Sequence, residues 1–178
     1  YIDEKWKNIT ELPFNNDDYS CAHPILSQDE KALYFSSDMS GTYGDSDIYR
    51  VKIFGNNQYG LPENLGKKIN TEGKETFPFM GSDNVLYFAS NGHLGLGGLD
   101  IYKIDLKDEN AEVVNLGEPV NSSFDDFAIY LKTDNKTGFF ASNRPKGLGY
   151  DDIYSINDIV RTPKPVPYLH SFSGNVMD

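Results

Sequence analysis

Hydrophobic residues in this chain occur in short runs separated by polar turns, and the arrangement is repeated three times. In each copy a polar turn precedes a run of consecutive apolar positions, a pattern typical of a strand covered on both faces. In the first two copies a later run alternates apolar and polar residues, as in a strand with one solvated side. No stretch has the i, i+3, i+4, i+7 spacing of an amphipathic helix. The pattern predicts an all-β fold, with consecutive runs at 32–35, 85–88 and 138–141 and alternating runs at 48–53 and 101–106.

A polar box follows each consecutive run, and its internal spacing is the same in all three copies. It begins with Ser and then Asp or Asn, and it ends with Gly-x-x-Asp-Ile-Tyr. The copies begin 53 and then 52 residues apart. A fixed period in this range indicates one supersecondary unit whose copies bury their faces against one another. The box residues are Ser37, Asp38, Gly44, Asp47, Tyr49, Ser90, Asn91, Gly97, Asp100, Tyr102, Ser142, Asn143, Gly149, Asp152 and Tyr154.

Four short strands in a repeat of about fifty residues predict the blade of a β-propeller. We expect about three four-stranded blades of a larger propeller, because closed rings have roughly four to eight. The repeats lie near 16–70, 71–121 and 122–160. The third is the least regular, since Ala128 stands where Pro24 and Pro78 stand in the others. A β-sandwich is the rival fold, but it does not explain near-identical boxes at a constant period.

Both ends of the sequence depart from the repeat. Residues 1–15 are similar to the end of a repeat, which predicts the outer strand of a preceding blade. Residues 161–170 hold alternating prolines and predict a stiff linker. Residues 171–178 read as the opening strand of another domain. We therefore expect a piece of a longer polypeptide, with other chains supplying the missing blades as the alternative.

The charge of the chain argues against two classes of partner. Asp and Glu number 27 against 16 Lys and Arg, for a net charge of −11. Nucleic acid and anionic lipid surfaces both repel such a chain. No apolar run approaches the roughly 20 residues of a membrane span, so we expect no direct membrane insertion by these residues. The single cysteine, Cys21, lies in a predicted strand and is expected to be a buried, inert thiol.

The repeated carboxylates Asp47, Asp100 and Asp152 are the candidate chemistry of the sequence. Acidic oxygens on a loop are ligands for calcium. Alternatively, each Asp caps its own turn while the box glycine supplies a positive φ. Recurrence in every repeat favours the structural role, since a ligand site is normally singular. We predict no catalytic, cofactor-binding or metal-binding residues, because the three histidines lack metal-ligand spacing and no nucleophile motif is present.

The three repeats, with their apolar runs and polar boxes, resemble the TolB-type, WD-like propeller repeats of bacterial envelope proteins. The resemblance rests on Leu33-Tyr34-Phe35-Ser36-Ser37-Asp38 and Gly44-x-x-Asp47-Ile48-Tyr49, with their later copies. The closing segment at 64–71 is similar to the propeller of OmpA-family lipoproteins of Bacteroidetes-type bacteria. Residues 173–178 are similar to the first strand of the carboxypeptidase-regulatory-like β-sandwich that follows this propeller in that family.

The resemblance implies a non-catalytic protein-interaction scaffold of the cell envelope, periplasmic and associated with the outer membrane. Its expected partners are envelope proteins, including type IX secretion components, and peptidoglycan bound through a domain outside this sequence. It implies no cofactor. Two alternatives stay open at this point: the substrate-gating propeller of a prolyl-oligopeptidase-like hydrolase, and a carbohydrate-binding propeller.

Overall fold

The computed structural model describes residues 8–157, which form twelve β-strands in three antiparallel sheets. Within that range there is no helix, and thus none long and apolar enough to span a membrane. The all-β prediction is confirmed. The strands are β1 Cys21–Leu26, β2 Ala32–Ser37, β3 Asp47–Gly55, β4 Gln58–Tyr59, β5 Glu63–Asn64, β6 Glu75–Met80, β7 Val85–Ser90, β8 Asp100–Asp105, β9 Val114–Asn115, β10 Asp126–Leu131, β11 Thr137–Ser142 and β12 Asp152–Asn157.

Each sheet corresponds to one sequence repeat, and we call the sheets blades 1, 2 and 3. Blade 1 has the order β1-β2-β3-β4 with β5 also paired to β3, blade 2 has the order β6-β7-β8-β9, and blade 3 has the order β10-β11-β12. Four strands per repeat were expected, and the described sheets have five, four and three. The difference lies at the outer edge, where β4, β5 and β9 are only two residues long.

The first strand of every blade contains the same irregularity. The register shifts between Ala22 and Ile25 and at the matching places in β6 and β10. His23, Phe77 and Ala128 occupy the bulge with φ of 55°, 50° and 52°. The alignment of Ala128 with the two prolines was therefore wrong by one position, because the strand register places Ile129 at their position in the repeat. A positive φ is costly for a residue with a side chain, so its recurrence marks a bulge that the blade geometry requires. The bulges bring aromatic rings together, with the Phe77 ring centroid 4.0 Å from His23 and 5.2 Å from Phe127.

Each blade has two apolar faces, formed by the second and third strands. We call the face towards the preceding blade in the chain the leading face, and the face towards the following blade the trailing face. The leading face carries a stacked Phe–Tyr pair, such as Phe88 and Tyr102 with ring centroids 5.9 Å apart. The trailing face carries an aromatic residue and the box isoleucine. The leading pairs, which lie directly opposite each other on neighbouring strands, are Phe35 with Tyr49, Phe88 with Tyr102 and Phe140 with Tyr154. The trailing residues share a face without being directly opposite, and they are Tyr34 and Ile48, Tyr87 and Ile101, and Phe139 and Ile153.

The blades pack trailing face against leading face. Tyr34 and Ile48 of blade 1 form one core cluster with Phe88 and Tyr102 of blade 2. The trailing face of blade 2 packs in the same way on the leading face of blade 3. Strands with consecutive apolar positions are therefore covered on both sides in blades 1 and 2, as their pattern predicted. Apolar burial of this kind supplies most of the stabilisation of such an array.

The structure describes only part of the two end segments for which the sequence makes predictions. Residues 8–15 contain no strand, and Phe14 stacks on Phe35 of blade 1 with ring centroids 5.1 Å apart. The remainder of the predicted outer strand, residue 158 onward of the third repeat, the linker and the final strand lie outside the described residues. The expectation for Cys21 was wrong: the residue is exposed, because β1, unlike the equally placed β6 and β10, has no preceding blade beside it among the described residues.

Candidate functional site

The box aspartates open the third strand of each blade and bind the loop that precedes it. The Asp47 carboxylate accepts a hydrogen bond from the amide of Tyr43, at 2.9 Å. The Asp100 carboxylate accepts from the amide of Leu96, at 2.6 Å, and from that of Gly97. Asp152 accepts from the amide of the third box glycine, at 3.2 Å. The carboxylate thereby satisfies loop amides that would otherwise lack a partner.

The first two box residues bind the loop and the start of the same blade. The Ser90 hydroxyl accepts from the amide of Gly92, at 3.0 Å, and Ser37 and Ser142 accept from loop amides in the same way. The second box residue accepts from the amide just before the first strand of its blade. These pairs are Asp38 with Ser20 at 2.7 Å, Asn91 with Lys74 at 2.7 Å and Asn143 with Asp125 at 2.8 Å.

The box glycines do not have the conformation expected from the sequence. Gly44, Gly97 and Gly149 are not among the residues with positive φ. A Cβ added at Gly44 would lie within 3.0 Å of the Gly73 carbonyl oxygen, and one at Gly97 within 3.0 Å of the Phe124 carbonyl oxygen. Both carbonyls belong to the segment that enters the next blade. Glycine is therefore required there by close approach of two backbones, and not by turn geometry.

This close approach predicts a position-dependent cost of a single methyl group. Gly97→Ala should lower the free energy of unfolding by about 2 kcal/mol, because the new Cβ must displace the backbone of blade 3. The matched control is Gly149→Ala, where the nearest atom to an added Cβ is 3.3 Å away and belongs to the same loop. Urea denaturation of the two variants checks the prediction, and equal stabilities would contradict it.

Each of blades 1 and 2 ends in a closing turn, residues 64–70 and 115–121. Two buried asparagines that the sequence analysis did not single out join these turns to their own blades. The side-chain oxygen of Asn70 accepts from the amide of Ile48 at 2.8 Å, and its NH₂ group donates to the Ile48 carbonyl at 3.0 Å. Asn121 makes the same pair of bonds with Ile101. We call this arrangement the asparagine bridge. The sequence contains a regularity that could have revealed this bridge, because each bridging asparagine lies six positions after another asparagine, Asn64 or Asn115.

Buried carboxylates open the first strand of blades 2 and 3. The Glu75 side chain accepts from the Thr71 amide at 2.7 Å and from the hydroxyl groups of Thr71 and Ser90. The Asp126 side chain accepts from the amide and hydroxyl of Ser122 and forms an ion pair with Arg144. Such burial is tolerated because every carboxylate oxygen has partners. In blade 1 the same position is occupied by Cys21, which is not a carboxylate. Because the residue type is not repeated, the sequence repeat did not reveal the role of these buried carboxylates.

A carbonyl of each closing turn accepts a hydrogen bond from a side chain of the following blade. The donors are chemically unrelated: the Tyr19 hydroxyl for Phe14, the His93 ring for Ile69 at 2.8 Å, and the Arg144 guanidinium for Val120 at 2.6 Å. No repeated residue type marks this contact, and the sequence therefore gave no signal for it.

The geometry of the box carboxylates bears on the calcium alternative. Asp47 and Asp100 each keep one buried oxygen without a hydrogen-bond partner. Burial raises the pKa of Asp100, and the nearby carboxylates of Asp126 and Asp125 add to the rise, against the two loop amides that lower it. Among residues 8–157 no three His, Cys, Asp or Glu side chains are grouped to hold a metal ion. A hard cation prefers six to eight oxygens, which the described carboxylates alone do not supply.

The loops that contain the boxes all lie at one end of the blades, and we call this surface the box-loop face. It comprises residues 38–46, 91–99 and 143–151. Although the polar box residues are turned inward to backbone amides, the tips of the loops carry large apolar side chains. Leu94 is 95% exposed and Leu148 is fully exposed. The others are Tyr43, Leu96 and Tyr150.

Comparison with known proteins identifies the fold and not a family. No protein-family model and no curated protein matches this sequence. Among solved structures, a protein assigned as TolB from Agrobacterium tumefaciens matches with a TM-score of 0.50 and 18% identity, covering 70% of this chain and 39% of that one. This chain thus spans well under half the length of that protein. At this identity the likeness concerns architecture, and the residues described here have the fold of part of a TolB-type β-propeller.

Proposed function

We propose that this chain is a non-catalytic scaffold of the bacterial cell envelope that docks protein partners through its box-loop face. The supporting observation is the concentration of exposed apolar side chains at the tips of successive box loops. Isolated apolar residues on a surface are ordinary, but a set projecting from adjacent loops of one face is typical of a protein interface. The rigid blades beneath hold these loops in place.

The finer assignment rests on the resemblance of the repeats. From this resemblance we propose that the chain is periplasmic and associated with the outer membrane, as part of an OmpA-family lipoprotein that reaches peptidoglycan through another domain. Components of the type IX secretion machinery are the partners that this assignment favours. The TolB-type fold is compatible with an envelope location. The chemistry of the box agrees with a scaffold, because its aspartates and serines are engaged with backbone amides.

The proposal predicts that one loop tip is needed for partner binding. Leu94→Asp should reduce recovery of envelope proteins on the immobilised chain at least tenfold, because a charge would replace a desolvated apolar contact. Leu61→Asp is the matched control, being an equally large apolar residue, 85% exposed, outside the box loops. Quantitative mass spectrometry of proteins captured from a periplasmic extract provides the measurement. Equal capture by both variants, or none by the unaltered chain, would count against the proposal.

A further inference from the structure

A cleft lies between blades 1 and 2, at the end of the blades opposite the box-loop face. Blade 1 contributes the turn before β2 and the end of β3, and blade 2 contributes the turn before β7 and the end of β8. Its volume is about 490 Å³, which is within the roughly 300–1,000 Å³ of ligand-binding pockets. We call this cleft the blade 1–2 groove. Because both of its walls belong to described blades that pack on each other, the groove does not depend on what lies beside the outer blades.

The groove is cationic, although the net charge of the chain is −11. The cations that line it are Lys31, Arg50, Lys52 and Lys107. Among the described residues that line it, Asp29 is the one carboxylate. Glu63 lies beside the groove and forms ion pairs with Arg50 and Lys52. Two carboxylates thus stand against four cations, and the groove keeps a surplus of positive charge that attracts anionic groups.

This charge is not part of the repeated blade structure. Lys52 pairs with the first residue of β2, and the residues at the same register position in the other blades are a carboxylate and an amide. The position of Arg50 also changes from blade to blade. The two aligned sets are Lys52, Asp105 and Asn157, and Arg50, Lys103 and Ser155. A residue that every blade needs would recur, as the box aspartate does, so the paired cations are a property of this one groove.

Arg50 has hydrogen-bonding capacity that the described residues do not use. Its Nε atom is buried, and no described residue accepts a hydrogen bond from it. Its Nη2 atom donates to Glu63 at the edge of the groove. A guanidinium presents five N–H donors in a planar fork, which matches the geometry of a carboxylate. Arg50 can therefore bind a second carboxylate in addition to Glu63.

Apolar side chains lie beside the cations. Phe54 is 66% exposed, and Ile53 and Leu106 are half-buried at the same place. Leu106 also packs on the core cluster between the two blades, which fixes its position. Apolar surface next to a surplus of positive charge fits a segment that carries both carboxylates and apolar side chains. Nucleic acid fits less well, because its phosphates are repelled by the chain as a whole.

We propose that the blade 1–2 groove binds an acidic and apolar peptide segment of a partner protein. Carboxylates of the segment pair with Arg50, Lys52 and Lys107, and an apolar side chain packs on Phe54 and Leu106. The groove and the box-loop face lie at opposite ends of the blades, so the two sites accept different segments without competing for the same surface.

Fluorescence anisotropy of the whole chain with a labelled octapeptide of alternating glutamate and leucine tests this site. We expect saturable binding with a Kd of about 100 µM or tighter at low salt. Raising the salt to about 0.5 M should weaken binding at least about tenfold, because the charges are screened. Octapeptides of alternating lysine and leucine, or glutamate and serine, should bind at least about tenfold more weakly. An octapeptide of glutamate and leucine that does not bind would overturn the proposal, as would equal binding of either comparison peptide or of oligothymidylate.

Charge-reversal variants locate the binding in the groove. Lys52→Glu and Lys107→Glu alter its two walls, and each should weaken binding of the glutamate–leucine peptide at least about tenfold. Lys136→Glu is the matched control, since Lys136 is an exposed lysine in the turn before β11, outside the groove, and the change of net charge is the same. It should weaken binding less than about twofold. All three lysines are exposed, so the variants should retain the far-ultraviolet circular dichroism of the parent. Equal losses in all three variants would show that net charge and not the groove attracts the peptide, and would overturn the proposal.

Discussion

Arg144→Met is expected to lower the free energy of unfolding by about 3–5 kcal/mol, the largest loss we expect from a single substitution. The guanidinium forms an ion pair with Asp126, whose side chain is 0% exposed. Removing one partner of a buried pair leaves an uncompensated charge in the interior, which costs far more than the pair itself contributes. Methionine retains the apolar length of the side chain, so the loss reports mainly on the charge.

Other contacts of Arg144 add to the loss. It donates to the carbonyl oxygens of Pro119 at 3.0 Å and of Val120 at 2.6 Å, both in the closing turn of blade 2. Its guanidinium also lies 4.9 Å from the ring centroid of Phe140 and 5.0 Å from that of Tyr154. A single side chain thus joins the closing turn of one blade to the leading face of the next.

Urea denaturation at neutral pH measures the effect, with Lys146→Met as the control. Lys146 is an exposed cation two residues away, so its replacement should change stability by less than about 0.5 kcal/mol. Adding Asp126→Asn to Arg144→Met should recover part of the loss, since the isolated charge disappears. A loss below 1 kcal/mol for Arg144→Met would show that Asp126 is adequately stabilised by Ser122 alone.

Asn121→Ala is expected to lower the free energy of unfolding by about 3 kcal/mol. The Asn121 side chain bonds both the amide and the carbonyl of Ile101, at 2.8 and 2.9 Å, in a fully buried position. Alanine leaves the buried Ile101 amide without a partner, which costs about 1–3 kcal/mol. It also removes one of the two hydrogen bonds to the Ile101 carbonyl, which keeps the bond from the Leu116 amide at 3.0 Å. A bond at 2.8 Å to the side-chain oxygen of Asn115 is lost as well.

The same measurement on Asn70→Ala should give a similar value, because Asn70 makes the same three contacts in blade 1. Asn110→Ala serves as the control, since that asparagine is exposed in a surface turn. If Asn121→Ala and Asn110→Ala denature at the same urea concentration, water replaces the bridge at no cost, and the bridge does not stabilise the blade.

The blades were predictable because their signals are local. A consecutive apolar run and a polar turn each depend on neighbouring residues, and the fixed period showed that the units are alike. Capping by Asp47 and its equivalents could be anticipated for the same reason, since a carboxylate and the loop amides it binds are only a few residues apart. The number of outer strands in each blade differed from the predicted four, because their pairing depends on how far a neighbouring strand extends.

Contacts between blades were not predictable from the same signals. Gly44 and Gly97 were interpreted as turn residues, yet the atoms that require glycine there come from the next blade. Tyr19, His93 and Arg144 perform one task with three different chemistries, so no motif records it. The exposure of Cys21 depends on the lack of a preceding blade beside β1 among the described residues, and strand propensity carries no information about that.

By itself the sequence determined the unit of this protein: three copies of an antiparallel blade, each with a capped box loop. Such a unit is specified by side-chain periodicity and turn chemistry, which act within a few residues. Only the tertiary structure decided how the units meet, which glycine contacts a neighbouring backbone, and why Ile153 is exposed where Ile48 and Ile101 are buried. These properties depend on residues about fifty positions apart that the fold brings into contact, and on faces whose burial is set by whatever lies beside them.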